Sequence, residues 1–263
     1  MDYDCHVHST FSPDGSSNIG EYCRWVDEGK LGAVGFAEHL DFLPVCGAYG
    51  FLNYREYINA IQQFRNKGYD FYAGAEVDYV KGVEEDIKKR LAGEQYDFTI
   101  CSIHTVNERS VSDREIDHFY DRGSFLSLLE GYYSELKWGL AVEEFDVIGH
   151  IGVYRRYLED SFYDINLRKL IEDFEFETAR LCAQSDKIVE VNSSGLFATM
   201  ASTVPDSSFL NNYHALGGRR VCMSSDAHNA RNAGRGFDRI RELLLQIGFE
   251  YLYLPWGPVV KLE

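Results

Sequence analysis

The chain has 263 residues, 45% of them hydrophobic, which is enough for one large core and fits a barrel enzyme folded as one unit. Its 42 acidic against 26 basic side chains give a formal charge of −16, which repels nucleic-acid backbones and argues against a DNA- or RNA-coating role, while leaving room for a small anion at a locally cationic site. The start, Met-Asp-Tyr-Asp, shows no basic or apolar signal segment, no run reaches the roughly 18 apolar residues of a membrane span, and the six cysteines are scattered without a CxxC pair, so the expectation is a cytoplasmic protein with reduced thiols and no membrane contact.

Short apolar runs alternate with amphipathic stretches along the chain. Strands are predicted at 3–8, 33–39, 70–77, 97–104, 146–151, 187–193 and 220–226, with a last short one at 251–255. Helices are predicted at about 18–30, 53–67, 82–92, 124–140, 166–185, 206–216 and 235–247, with Gly68, Gly217 and Gly248 as stops. Seven strand–helix units imply parallel strands joined by crossovers, and polar residues gathered at one end of each strand favour a closed barrel over an open sheet. No linker, repeat or low-complexity tract divides the chain, so residues 1–263 read as a single domain. Cys5, Cys101 and Cys222 lie in apolar runs and read as core. The aromatic segments at 49–57 and 132–138 read as packing against the barrel.

The histidines carry the functional signal. Six of the eight lie at or just beyond a predicted strand end: His6, His8, His39, His104, His150 and His228. Only His118 and His214 fall elsewhere. Acids share these positions, namely Asp14, Glu38 beside His39, Glu76, and Asp226 two before His228. His6-Val7-His8 puts two imidazoles on one side of a strand, and Asp226-Ala227-His228 does the same for a carboxylate and an imidazole if the strand persists. Each motif alone is weak. Together, at one barrel mouth, they would be costly to assemble without cations, and mixed imidazole and carboxylate donors suit zinc, manganese or iron better than calcium. Arg155-Arg156, just after the His150 motif, is a candidate phosphate clamp because guanidinium forks match phosphate oxygens. No GxSxG or P-loop pattern supports serine or nucleotide chemistry.

The segments HVHSTFSPDG (6–15), GFAEHLD (35–41), GAEVDY (74–79), SIHTV (102–106), GHIGVYRRY (149–157), EVNSSGL (190–196) and SSDAH (224–228) resemble the PHP (polymerase and histidinol phosphatase) superfamily. Within it they are most similar to the PHP-type histidinol-phosphate phosphatases, as is the closing GFDRIRELLLQIGFEYLYL. The resemblance implies a distorted seven-stranded (β/α)7, TIM-like barrel with three divalent ions. By motif, one would be held by His6, His8, Glu76 and Asp226, a second by Glu76, His104 and His150, and a third by Asp14, His39 and His228. Glu38 is left as a supporting group. A metal-bound hydroxide would attack a phosphate monoester in line, Arg156 rather than Arg155 would hold the phosphate, and Asp226 or His228 would assist the leaving alkoxide.

One position departs from the group. Its phosphatases carry an arginine directly after the Asn-(Ser/Thr)-(Ser/Ala)-Gly-Leu stretch, where this chain has Phe197. Phe197 would offer an apolar or stacking surface, and one anion contact is either missing or supplied by Arg231, Arg235 or another residue. The leading expectation is a phosphomonoesterase acting on a small phosphorylated metabolite, with histidinol phosphate first. A PHP-type phosphodiesterase or nuclease and a non-catalytic metal-binding regulatory module are the alternatives.

Overall fold

In a computed structural model the alternating pattern becomes seven strand-then-helix units; residues 1–112, 122–158 and 165–263 are described. Strand β1 (Asp2–Val7) leads through a helical turn to α1 (Cys23–Asp27), β2 (Leu31–Asp41) to α2 (Tyr54–Arg65), and β3 (Phe71–Asp78) to α3 (Glu84–Gly93). After β4 (Phe98–Ser102), the small strands β5 (Thr105–Val106) and β6 (Arg109–Ser110) precede α4 (Arg122–Leu140). Then come β7 (Val147–Ile148) and α5 (Ile165–Gln184), β8 (Ile188–Asn192) and α6 (Ser207–Ala215), and β9 (Val221–Ser224) and α7 (Phe237–Ile247). The strands β1-β2-β3-β4-β7-β8-β9 form one parallel sheet in that order.

The sheet curls until its two edges meet at one end. There Val7 bridges Ala227, the Asp226 amide donates to the His6 carbonyl at 2.9 Å, and the His8 amide donates to the Ala227 carbonyl at 2.9 Å. The buried Tyr22 hydroxyl donates to the carbonyls of His8 (2.6 Å) and Ala227 (3.1 Å), clamping the seam from outside. The fully buried Asp4 accepts from Ser225 and from the Gly234 amide, tying the far side of the same joint. Burial pushes the Asp4 carboxyl up to about 6 against the pull of these bonds.

At the opposite, N-terminal end the barrel is filled by apolar side chains, including Cys5, Ala37, Phe98, Ile100, Val147 and Cys222. The antiparallel pair β10 (Tyr251–Tyr253) and β11 (Val259–Lys261) plugs this end: Leu254 joins the cluster, and Trp256 stacks on Tyr72 with centroids 4.3 Å apart. Gly74 is required here, because a Cβ there would lie 2.4 Å from the Phe98 ring. The predicted strand at 251–255 is thus present, but as a plug and not a barrel stave.

Strand β7 is shorter than the expected 146–151 run. The chain leaves the ladder after Ile148, and the His150 amide donates to Glu190. The β5–β6 pair was not foreseen; its turn places Asn107 (φ 52°) and Glu108 (φ 62°) in the left-handed region with no glycine to announce it. Gly217 and Gly248 end α6 and α7 with φ of 94° and 107°. No described helix is long and apolar enough to cross a membrane. His118 lies outside the described residues.

Candidate metal centre and active site

Parallel strands all point their C-terminal ends to one mouth, and the ladder register brings the chemistry together there. His39 on β2 sits opposite Glu76 on β3, and Asp41 sits opposite Asp78 one step further out. Glu76 occupies the centre. Its Oε1 lies 2.7 Å from His150 Nε2 and 3.1 Å from His104 Nε2; its Oε2 lies 3.0 Å from His39 Nδ1 and 3.4 Å from both His6 Nε2 and His8 Nε2. Asp226 Oδ1 is 3.4 Å from His8 Nε2 and 3.6 Å from His228 Nδ1. Asp14 Oδ2, at the rim, is 3.0 Å from His228 Nε2 and 3.5 Å from His39 Nε2. All nine residues expected as ligands therefore meet in one cluster. His39 lies between two groups, near Glu76 and His104 on one side and near His8 and His228 on the other.

The hydrogen bonds around the rings show what this cluster needs. His6 Nδ1 lies 2.7 Å from Glu190, so a neutral His6 carries its proton there and turns the Nε2 lone pair inward. His8 Nδ1 lies 3.0 Å from the Ser12 hydroxyl, whose own proton goes to Glu38, so His8 also presents a bare Nε2. These two Nε2 atoms are 3.0 Å apart. Two lone pairs converging at that distance need a proton or a metal ion between them. Glu76 Oε2 beside them is buried and makes no hydrogen bond of good geometry among the described residues. His228 gives its Nδ1 proton to the Asp226 carbonyl at 3.0 Å and turns its Nε2 toward Asp14. The donor set of imidazole nitrogens and carboxylate oxygens thus fits divalent metal ions.

The electrostatics agree. Burial opposes ionisation of Glu76, yet His104, His6 and His39 hold its carboxyl well below the usual range. Burial likewise opposes Asp226, while His8 and Arg156 hold it well below normal. Against burial, Glu76 and Glu190 raise His6, Glu76 and Asp14 raise His39, and Glu76 raises His104. Burial and the neighbouring His228 and His39 push His8 well down. Protons and metal ions therefore compete for one set of lone pairs.

Above the cluster opens a cavity of about 1200 Å³ whose wall includes Asp41, Cys46, Glu108, Arg109, Arg156 and Tyr157. Arg156 Nη2 donates to Asp226 Oδ2 at 2.9 Å, and its Nε has no hydrogen-bond partner among the described residues. Arg155, the other half of the expected clamp, turns away. Its Nη1 binds Glu175 (2.8 Å) and Asp206 (2.9 Å), joining α5 to the N-cap of α6, because neighbouring residues on that helical turn face different ways. Phe197 does not line the cavity either. It is 43% exposed, with the Arg235 guanidinium 3.5 Å above its ring. Arg231 and Arg235 border a separate cavity and do not line this one. Arg109 is the additional guanidinium on the wall of the main cavity.

Sequence reasoning overlooked Glu190 and Asp78. Glu190 anchors His6 and the His150 amide, and Asp78 accepts from the His104 amide (2.8 Å) and from the Thr105 hydroxyl (2.7 Å). The signal was available: each is an acid inside an apolar strand run, on the same face as residues that reach the mouth.

Residues 4–194, well over half of the chain, match the PHP domain family model, and the chain belongs to that family. It is 26% identical over 262 residues to a "probable histidinol-phosphatase" of Thermotoga maritima, covering 99% of this chain and 98% of that one. It is 27% identical over 262 residues to a histidinol-phosphatase of Lactococcus lactis subsp. lactis, covering 95% and 92%. The fold matches the crystal structure of a histidinol phosphate phosphatase from Lactococcus lactis complexed with zinc, L-histidinol and phosphate. There the TM-score is 0.83 at 22% identity, covering 99% of both chains.

Proposed function

We propose that this chain is a metal-dependent phosphomonoesterase acting on a small phosphorylated metabolite, histidinol phosphate first, at three divalent ions held by the nine residues named above. The observation that carries this reading is Arg156 on the wall of the same cavity as the donor cluster, hydrogen-bonded to Asp226. A guanidinium next to a cation site is suited to a dianionic phosphate, whose oxygens it meets as a fork. The names of the relatives support the substrate.

Divalent ions bound here would bring the pKa of a water toward neutrality and offset phosphate charge. The chain's own residues do the rest. Glu76 spans the two halves of the cluster. Asp226 holds Arg156 and is kept ionised by His8 and Arg156, so it has no proton of its own to give. The departing alkoxide requires one proton; the attacking water releases one, and Asp226 or His228, which stand together on that wall, would carry it across. Arg109, on the same cavity wall, is our candidate for a second anion contact.

The test is phosphate release from a panel of small monoesters, including histidinol phosphate, alongside a chromogenic diester, with manganese-, iron- or zinc-loaded protein. Selective release from histidinol phosphate is expected. Preference for the diester, or no turnover of any ester, would overturn the reading.

A further inference from the structure

Glu38 is fully buried at the end of β2 beside the ligand candidate His39, yet it belongs to none of the donor groups. Its side-chain hydrogen bonds among the described residues run to the loop after β1. The Ser9 amide donates to Oε1 (3.0 Å) and Oε2 (3.1 Å), the Ser9 hydroxyl to Oε1 (2.6 Å), and the Ser12 hydroxyl to Oε2 (2.6 Å). A carboxylate that only accepts dictates where each hydroxyl proton points. The Ser12 oxygen has one proton, and Glu38 takes it. The His39 amide already donates to that oxygen at 3.0 Å, so its remaining capacity is for a second donor. His8 Nδ1, 3.0 Å away, must therefore carry its proton.

We propose that Glu38 is a positioning residue that fixes the tautomer of His8 through Ser12, and so sets the affinity for the ion between His6 and His8. This rests on the reading of His6 and His8 as metal ligands. Glu190 performs the corresponding task for His6 by direct contact, at 2.7 Å from Nδ1. The two carboxylates reach neighbouring imidazoles from opposite sides and leave both Nε2 lone pairs facing each other. Without Glu38 the Ser12 proton is free to turn toward His8 Nδ1. The His8 proton then moves to Nε2, into the space between the two rings.

Glu38→Gln should reverse the relay. Its amide oxygen is needed by the Ser9 donors, so its NH2 group faces Ser12 and donates to it. The Ser12 proton is then driven onto His8 Nδ1. Ser12→Ala leaves Glu38 bonded to Ser9 but cuts the relay, so it should have a smaller effect in the same direction. Two measurements test this on the full-length protein. Titration with zinc or manganese, with metal counted per chain, should show one ion bound roughly 10- to 100-fold more weakly in Glu38→Gln. Ring ¹⁵N shifts of His8 in the metal-free protein should show the proton on Nδ1 in the parent chain and on Nε2 in Glu38→Gln. If both variants keep the parent tautomer and metal affinity, losing only thermal stability, Glu38 merely pins the loop and the proposal fails. A parent chain that binds no ion would overturn the metal reading, while the ¹⁵N shifts would still decide the tautomer claim on its own. Should Glu38→Gln not fold, Ser12→Ala carries both measurements.

Discussion

The two ends of the barrel are built from the same strands and have opposite chemistry. Strand β4 starts at Phe98 in the apolar plug, and the chain reaches His104 just beyond its end; β8 runs from Ile188 to Glu190 and Asn192. The N-terminal end is filled by rings and aliphatic groups closed over by Trp256, and it supplies stability through burial. The C-terminal end buries imidazoles and carboxylates whose desolvation only cations offset. Stability and chemistry are therefore separated along the barrel axis, so damage at one end should spare the other.

The largest effect should come from Glu76→Gln, because that carboxylate touches His6, His8, His39, His104 and His150. Phosphate release should drop to background and bound metal should fall, as judged by activity and elemental analysis, in a protein that remains folded. At the other end, Phe98→Ala should cost about 3–5 kcal/mol in urea unfolding while metal content per folded chain stays unchanged. Loss of metal in step with stability would erase the separation. Arg156→Ala should cost about 1.5–3 kcal/mol in kcat/KM, the worth of a charge-assisted bond, and Arg156→Lys should recover only part of it because the fork is gone.

Changing pH should also set the metal-free and metal-bound chains apart. In the metal-free chain, His6, His39, His104 and His228 hold protons more tightly folded than unfolded, against His8, which holds its proton less tightly. A raised histidine contributes stability below its unfolded value of about 6.5, and that contribution disappears as pH rises through the folded value. The metal-free melting temperature should therefore fall above neutrality. With metal bound it should rise over the same range, because deprotonated rings are ligands. Parallel curves would sink the argument. The smallest effect should be at Phe197→Arg, outside the cavity, with kcat/KM changing by less than about 2.5-fold, as expected of a surface change of ±0.5 kcal/mol.

Much of this molecule was legible in its sequence. Strand runs such as AVGFAEH and KIVEVNS carry apolar residues at successive positions because both faces are buried in a parallel sheet, and local pattern alone reports that. The histidines at strand ends were visible for the same reason, since strand direction fixes which end they occupy. Other features depended on partners far away in the chain. The resemblance singles out Arg156 over its chemically identical neighbour Arg155, and the physical reason is packing, which sends Arg155 to Glu175 and Asp206 and Arg156 to Asp226. Phe197 occupies the expected motif position but not the cavity wall. The supporting acids Glu38, Asp78 and Glu190 acquire their roles from loops and strands they meet only in three dimensions. The strand periodicity and the inventory of ligands were written in the chain itself, because they follow from local burial and side-chain chemistry. Which proton each imidazole carries, and what holds each guanidinium in place, was left to the folded molecule, because hydrogen-bond direction is set by neighbours that folding alone brings within reach.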